Sequence, residues 1–516
     1  MNGKYILAID QSTSGTKAIL FTRDCTVHRR VTLPHTQLHP RSGWVEHDPS
    51  EIAANVTKAA EGVLRDGSAA WEDVAAISLT NQRETGMVWD RETGKPVYNA
   101  IVWQCPRAVG ICERIGKAPG IREMVFRKTG LPLSPYFTAP KIRWILENVE
   151  DARKMADAGR LLFGTVDSWV LWNLTGGKVH ATDYSNASRT MLLNIHEMKW
   201  DKDLLDLFGI PESMMPELRL SDSIFGYTDR CCGLPGSLQG AIRDGILCPV
   251  PDGIPVSGVM GDSHAALFGQ NCYRAGMTKA TYGTGSSVMM NIGSRPVFSS
   301  SGIVTSVGWA CSEDRVYVLE GNINCTGRTI QWLTQNLGIL GSPRECGSIA
   351  SRLLDNGGVY FVPAFTGLGA PYWDDNARGI ISGLTLDTTR EHIIRAAEES
   401  IAYQIADITD RMQKEARVAL EELRADGGPT RDAFLMQFQS ELSGTRVVVP
   451  EVEELSALGS AAMAGLAVGF WKHRSEIEER NATLAVYSPS LPAEVRTRYK
   501  QGWDNAVRQA SSPGKC

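Results

Sequence analysis

Apolar positions along the chain fall in short runs broken by polar loops, and these runs alternate with longer stretches of helical period. Tyr5 to Ile9 is one such run and Ala18 to Phe21 the next. Between them lies Asp10-Gln11-Ser12-Thr13-Ser14-Gly15-Thr16, so the pattern predicts a strand, a small polar loop and a returning strand. The same outline recurs past the middle, as Thr278 to Tyr282, the loop Gly283-Thr284-Gly285-Ser286-Ser287, and Val288 to Asn291. Two strands pinching a Gly/Ser/Thr loop, twice in one chain, point to an ancient duplication. His392 to Lys414 has a long helical period, and Ala457 to Trp471 is rich in Ala and Gly, as expected of a closely packed helix. Val359 to Pro363 and Gly379 to Leu384 read as strands. Such alternation predicts α/β domains in which helices cover a mixed sheet.

At 516 residues the chain is too long for one ordinary core, which predicts two large domains. Cys231 to Gly253, dense in Gly, Pro and Cys, reads as an irregular surface excursion. The boundary is expected near Asn271, dividing the chain into 1–271 and 272–516. No low-complexity linker marks it, so the two halves should pack together. Apolar residues at 43% and charged residues at 22% are ordinary for a soluble globular protein. A net charge of −5 without a run of Lys and Arg leaves nucleic acid or an anionic membrane nothing to grip. The longest apolar stretches, such as Ala461 to Phe470, are too short to span a bilayer. Met1 to Lys4 leads straight into a strand pattern without a secretory h-region, and Pro513-Gly514-Lys515-Cys516 is not a peroxisomal address. Eleven Cys lack metal-ligand spacing and read as buried thiols of a reducing compartment. The expected location is the cytoplasm.

Four segments carry candidate chemistry. The loop from Asp10 to Lys17 can turn backbone N–H groups toward a phosphate, with Lys17 adding a point charge and Asp10 holding Mg²⁺ through its waters. A plain polar turn is the alternative. Asn81-Gln82-Arg83-Glu84-Thr85 follows the strand-like Ala75 to Leu79, and an adjacent Arg and Glu suit the hydroxyls of a polyol. Their alternative is a surface ion pair. Ser257-Gly258-Val259-Met260-Gly261-Asp262 ends an apolar stretch on a carboxylate able to accept a hydroxyl proton, or else to cap the Ala-rich helix that follows. Ala425-Asp426-Gly427-Gly428-Pro429 offers a Gly pair for close backbone approach, or a tight turn.

Taken in this order, with Leu162 to Asp167, Thr182 to Thr190 and Phe361 to Trp373, these segments resemble the FGGY carbohydrate kinases. The likeness is strongest to the glycerol-phosphorylating members and runs from Tyr5 to about Val507. One family signature is matched by Tyr136 through Asn148. The other, around Gly379 to Glu399, is matched except that Glu398 stands where an apolar residue is asked for.

The resemblance implies two actin-like ATPase (ribonuclease H-like) domains flanking a cleft. It also implies transfer of the ATP γ-phosphoryl, with Mg²⁺, to a small polyol. Glycerol leads as acceptor, and a longer polyol or ketose such as erythritol or xylulose is the alternative. By the same likeness, Arg83, Glu84, Trp103, Tyr136, Asp262 and Ser263 meet the polyol, with Asp262 as general base. Gln11, Thr13 and Lys17 meet phosphates, Asp10 serves the metal, and Thr284, Gly327, Gln331, Gly428 and Asp432 line the nucleotide site. A homo-oligomer, dimer or tetramer, is implied as well. A non-catalytic sugar-binding relative is disfavoured because Asp10, Lys17, Arg83, Glu84 and Asp262 are all present.

The chain also departs from the pattern of the glycerol-phosphorylating members. Ser263 replaces a Gln, Ser287 replaces an aromatic over the acceptor carbons, and Asp432 replaces an Asn near the adenine. The Gly-Thr-Arg loop that binds fructose 1,6-bisphosphate in some of them is not found between Leu234 and Ile254.

Overall fold

The computed structural model describes residues 3–65, 67–229 and 250–512. Two large mixed sheets organise it, and we number only their strands. In the N-terminal half these are β1 (Tyr5–Gln11), β2 (Gly15–Phe21), β3 (Val27–Pro34), β4 (Val74–Asn81), β5 (Ile224–Tyr227) and β6 (Pro255–Gly261), in spatial order β3-β2-β1-β4-β6-β5. The C-terminal half has β7 (Met277–Tyr282), β8 (Ser286–Asn291), β9 (Val304–Ala310), β10 (Arg315–Ile323), β11 (Glu422–Asp426), β12 (Val447–Pro450) and β13 (Thr483–Tyr487). Their spatial order is β9-β10-β8-β7-β11-β12-β13.

The pairing directions repeat. β3-β2-β1 and β10-β8-β7 are antiparallel, β1-β4-β6 and β7-β11-β12 are parallel, and an antiparallel strand, β5 or β13, closes each series. The duplication expected from the two polar hairpins thus extends through six strands of each sheet, with β9 added outside the series. β1, β4 and β6 are buried almost throughout, which explains why their sequences read as continuous apolar runs rather than alternating ones.

The halves share a core. One buried cluster joins Ile6, Ala8 and Phe21 of the first sheet to Met289, Trp309 and Val318 of the second. Helices Asp262–Gly269 and Leu455–Ala467 lie within it. These helices cross at backbone distance: a Cβ on Gly459 would stand 1.8 Å from the Ala265 carbonyl oxygen. Gly258, at φ +66°, lets β6 bulge so that helix Leu455–Ala467 can lie against it, and a Cβ there would meet Ser460 O at 2.3 Å. The expectation of packed rather than tethered halves holds.

Local expectations mostly hold, with shifted ends. The long helix runs Arg390–Ala416, and Tyr360–Val362 pairs antiparallel with Ile380–Ser382. The helix expected over Ala457 to Trp471 instead ends at Ala467. Gly469 adopts φ +71° and Phe470 N–H returns to Gly465 O, a C-terminal turn that sends Phe470 and Trp471 back into the core. Seven described cysteines are buried free thiols. Most of the excursion expected over Cys231 to Gly253, including the loop considered for fructose 1,6-bisphosphate, lies outside the described residues.

Candidate active site

Both hairpin loops are tightly closed. In the first, Ser12 N–H and Ser12 Oγ donate to Gly15 O at 2.9 and 3.0 Å. In the second, Gly283 N–H donates to Gly285 O at 2.9 Å. The start of helix Gly327–Gln335 is bonded to that loop: Gly327 N–H reaches Gly283 O at 2.9 Å, and Thr326 and Arg328 N–H reach Thr284 O at 3.1 Å each.

A cavity of about 310 Å³ opens between these features. Asp10, Lys17, Asp262, Ser263, Lys279, Thr281, Ser287, Asp426, Gly427, Glu453 and Glu454 line it, so both halves contribute. Asp262 is the first residue of its helix, and its Oδ1 accepts from Ser263 N–H at 2.6 Å and lies 3.1 Å from Arg83 Nε. The cap expected as its alternative role is absent, because the N-cap position is Gly261.

Behind Asp262 stands a buried ionic network. Arg83 donates two-pronged to Glu320 at 2.7 and 2.9 Å, while Arg189 reaches Glu84 at 2.5 Å and Glu320 at 3.1 Å. All four side chains are buried. Burial opposes ionisation of Glu320, but Arg189 and Arg83 outweigh it and hold the carboxyl well below the usual carboxylate range. Burial likewise opposes the Arg83 charge, and Glu320, Glu84 and Asp262 more than restore it. Arg83 and Glu84 are therefore an interior pair with further partners, not a surface pair. Glu84 carries φ +34°, a conformation costly for a side chain with Cβ, as residues fixed by a site often show. His264, next to Ser263, is kept neutral by burial and by Arg83, and it bonds Ser306 Oγ at 3.0 Å.

On the phosphate side, Lys17 Nζ lies 2.6 Å from Glu454 and 3.8 Å from Asp10. Burial pushes the Asp10 carboxyl up to about 7; Lys17 works against this, while Asp262 and Glu454 add to it. Lys279 donates to Thr281 Oγ1 at 3.0 Å, and burial lowers its pKa despite Asp426. Gln11 differs from expectation: its side chain is buried and bonded to His35 and Gln82, so it faces the interior rather than this cavity. Thr13 Oγ1 accepts from Trp103 Nε1 at 3.0 Å, and Trp103 packs edge-on against Tyr136 at 5.6 Å. That aromatic pair flanks the network without lining the cavity.

A second cavity of about 690 Å³ is lined by Gly283, Thr284, Gly327, Gln331, Gly428 and Asp432, together with Pro343, Arg344, Cys346, Glu398 and Ile401. All five residues expected at a nucleotide lie on its wall. Gly427 lines the first cavity and Gly428 the second, so the diglycine separates them. A Cβ on Gly427 would stand 2.0 Å from Tyr282 O, which leaves no room for another residue.

Sequence reasoning gave no role to Glu320, Glu454, Lys279, Asp426 or Arg189. Glu320 had a readable signal, since it ends the apolar run Val316-Tyr317-Val318-Leu319 inside a strand and so required a buried partner. Glu454 had none, because Glu451-Val452-Glu453-Glu454 reads as a solvated acidic turn.

The sequence profile of the FGGY family of carbohydrate kinases, N-terminal domain, matches residues 5–269, and that of its C-terminal domain matches 278–468. The chain belongs to this family, and its two halves are the actin-like ATPase-fold domains of these ATP-dependent kinases. More particularly, it is 50% identical over 505 residues to glycerol kinase 1 of Thermotoga maritima, covering 98% of this chain and 99% of that one. It is 46% identical over 516 residues to the glycerol kinase of Francisella tularensis subsp. holarctica, covering all of both. The solved Plasmodium falciparum glycerol kinase with ADP superposes with a TM-score of 0.90 at 33% identity, over 98% of each chain.

Proposed function

We propose that this enzyme transfers the γ-phosphoryl group of ATP to glycerol, giving sn-glycerol 3-phosphate and ADP. The observation that carries the reading is Asp262, held by Arg83 at 3.1 Å on the wall of a cavity shared with Asp10, Lys17 and the diglycine turn. Asp262 takes the proton of the attacking primary hydroxyl as its oxygen bonds to the γ-phosphorus and the bond to ADP breaks. Ser263 lies beside the base on the polyol side, and the family likeness adds Arg83, Glu84, Trp103 and Tyr136 as polyol contacts, although they stand behind the cavity wall rather than on it. Thr13, Lys17 and the Gln11 backbone meet phosphate, while Thr284, Gly327, Gln331, Gly428 and Asp432 form the nucleotide wall.

Asp10, a hard oxygen donor on the cavity wall, would hold Mg²⁺ largely through the ion's waters, since no three His, Cys, Asp or Glu side chains are grouped to hold a metal ion among the described residues, and the bound ion would neutralise phosphate charge. Domains 1–271 and 272–516 contribute the acceptor and nucleotide sides. No helix of the described residues is long and apolar enough to cross a membrane. We place the enzyme in the cytoplasm as a homo-oligomer, as the family likeness implies.

Ser263 and Ser287 on the cavity wall favour a second reading, in which a longer polyol or ketose is the preferred acceptor. Coupled ADP release with glycerol, erythritol and xylulose decides between them. Glycerol giving the highest kcat/KM supports the first reading, and absence of glycerol-dependent ADP release overturns it.

A further inference from the structure

Neither catalysis nor helix formation accounts for the carboxyl of Glu398. It lies in helix Arg390–Ala416, is 2% exposed, and lines the 690 Å³ cavity. Its neighbour Glu399 is fully used, accepting from Arg395 Nε at 2.7 Å and Asn356 Nδ2 at 3.0 Å. Glu398 has no such cation. The Asp432 carboxyl and the Cys346 thiol lie against it, and its Oε2 makes no hydrogen bond.

Asp432 is differently placed. Its Oδ1 accepts Phe434 and Leu435 N–H at 3.0 and 3.3 Å at the start of helix Ala433–Ser443, and its Oδ2 accepts Gly347 N–H at 3.0 Å. These bonds engage both Asp432 oxygens. Glu398, buried without a cation and against a second carboxyl, keeps its proton. Burial first, and the Asp432 charge second, push its pKa well above the usual range. Protonated at one oxygen, Glu398 keeps the other as a carbonyl-type acceptor, and Oε2, shut off from solvent in this arrangement, has nothing donated to it.

Resting on the nucleotide reading of this cavity, we propose that the Glu398 carboxyl turns its unpaired oxygen into the cavity, accepts a hydrogen bond there from the exocyclic amino group of adenine, and so selects 6-amino over 6-oxo purine nucleotides. A 6-oxopurine would set its own carbonyl oxygen against that oxygen, acceptor facing acceptor, and leave both unpaired. An apolar residue, which the family pattern asks for at this position, would make no such distinction.

The test is calorimetric titration of the full-length protein with ATP and with ITP, which differ at the 6-substituent, for wild type, Glu398→Gln and Glu398→Leu. Wild type should bind ATP about tenfold or more tighter than ITP, the scale of one buried acceptor left unpaired. Glu398→Gln, whose amide can donate to Asp432 and still present its oxygen, should keep that ratio. Glu398→Leu should reduce it to about twofold or less. Equal wild-type affinities, an ITP preference through Arg344 on the same wall, or a full ratio in Glu398→Leu each overturn the proposal. If Glu398→Leu does not fold, the wild-type ratio and its retention in Glu398→Gln still decide. Polyol phosphorylation with ATP and ITP alike would leave the kinase reading standing while this inference falls. Failure to bind either nucleotide would remove both.

Discussion

Arg83, at the end of β4 in the N-terminal half, and Glu320, in β10 of the C-terminal half, form a two-pronged ion pair with both side chains buried. The same guanidinium holds Asp262 through Nε, so the pair that ties the halves together also orients the proposed base.

Removing one partner of a buried pair leaves an uncompensated charge, which costs about 3 kcal/mol or more. Glu320→Ala would strand two guanidiniums, Arg83 and Arg189, with Glu84 and Asp262 as their remaining carboxylates. Arg83 should then draw more strongly on Asp262. The expected outcome is a melting temperature lower by several degrees together with a reduced kcat, read by thermal unfolding and a coupled assay. An unchanged melting temperature would show that Glu320 is not the partner on which the network depends.

Asp262→Asn keeps the shape of the side chain and an oxygen for Arg83 while losing the basic carboxylate. Turnover should fall about a hundredfold or more, the scale of a positioned base, with ATP affinity nearly intact. Retained wild-type turnover with any polyol would remove Asp262 from the proposed role.

Much of this site was legible along the chain because its parts stand at strand ends. Asp10 stands near the end of β1, Arg83 and Glu84 follow β4, and Asp262 follows β6, where a polar residue at the end of an apolar run has no packing role to explain it. The hairpin outline foretold the duplication for the same reason. The partners were less legible. Glu320 meets Arg83 across 237 positions of sequence, and Glu454 meets Lys17 across 437, so no local pattern could pair them. The family likeness that puts Gln11 at phosphate fixes a position in the chain and not the direction of its side chain. Its amide bonds to His35 and Gln82 within a buried polar cluster that His47 completes.

That cluster sets a pH dependence. His47 is fully buried, and burial, with His35 beside it, pushes its pKa down from 6.5 to about 4. Burial also lowers the pKa of His35. His47 stays neutral in the folded state, so between pH 6.5 and about 4 the unfolded chain binds a proton there that the native protein refuses. Stability is therefore fully present above pH 6.5 and falls as the solution is acidified through this window. At about 1.4 kcal/mol per pKa unit, His47 alone would account for roughly 3 kcal/mol by pH 4. His47→Gln should flatten the fall in melting temperature between pH 7 and 4.5. An equally steep fall in the variant would assign the acid sensitivity elsewhere.

The acceptor pocket gives the sharpest expectation, because two small residues line it where the family pattern has larger ones. Ser287 lies in β8 between Thr281 and Asn322 of the neighbouring strands, and its Oγ is buried without a partner. Ser263 lines the same cavity beside the Asp262 carboxylate. A three-carbon polyol bound against Asp262 would leave its C–H surface unpacked on the Ser287 side, at about 0.8 kcal/mol, or roughly fourfold in affinity, per CH₂ group. A four-carbon polyol could fill that space and donate a hydroxyl to the free Ser287 Oγ, so erythritol should be phosphorylated alongside glycerol. Ser287→Phe should restore an apolar wall, lowering the glycerol KM several-fold and abolishing turnover of the longer polyol. Steady-state kinetics of wild type and variant over both acceptors provide the measurement. No gain for glycerol in Ser287→Phe, combined with no erythritol turnover in wild type, would show that this serine does not set the size of the acceptor.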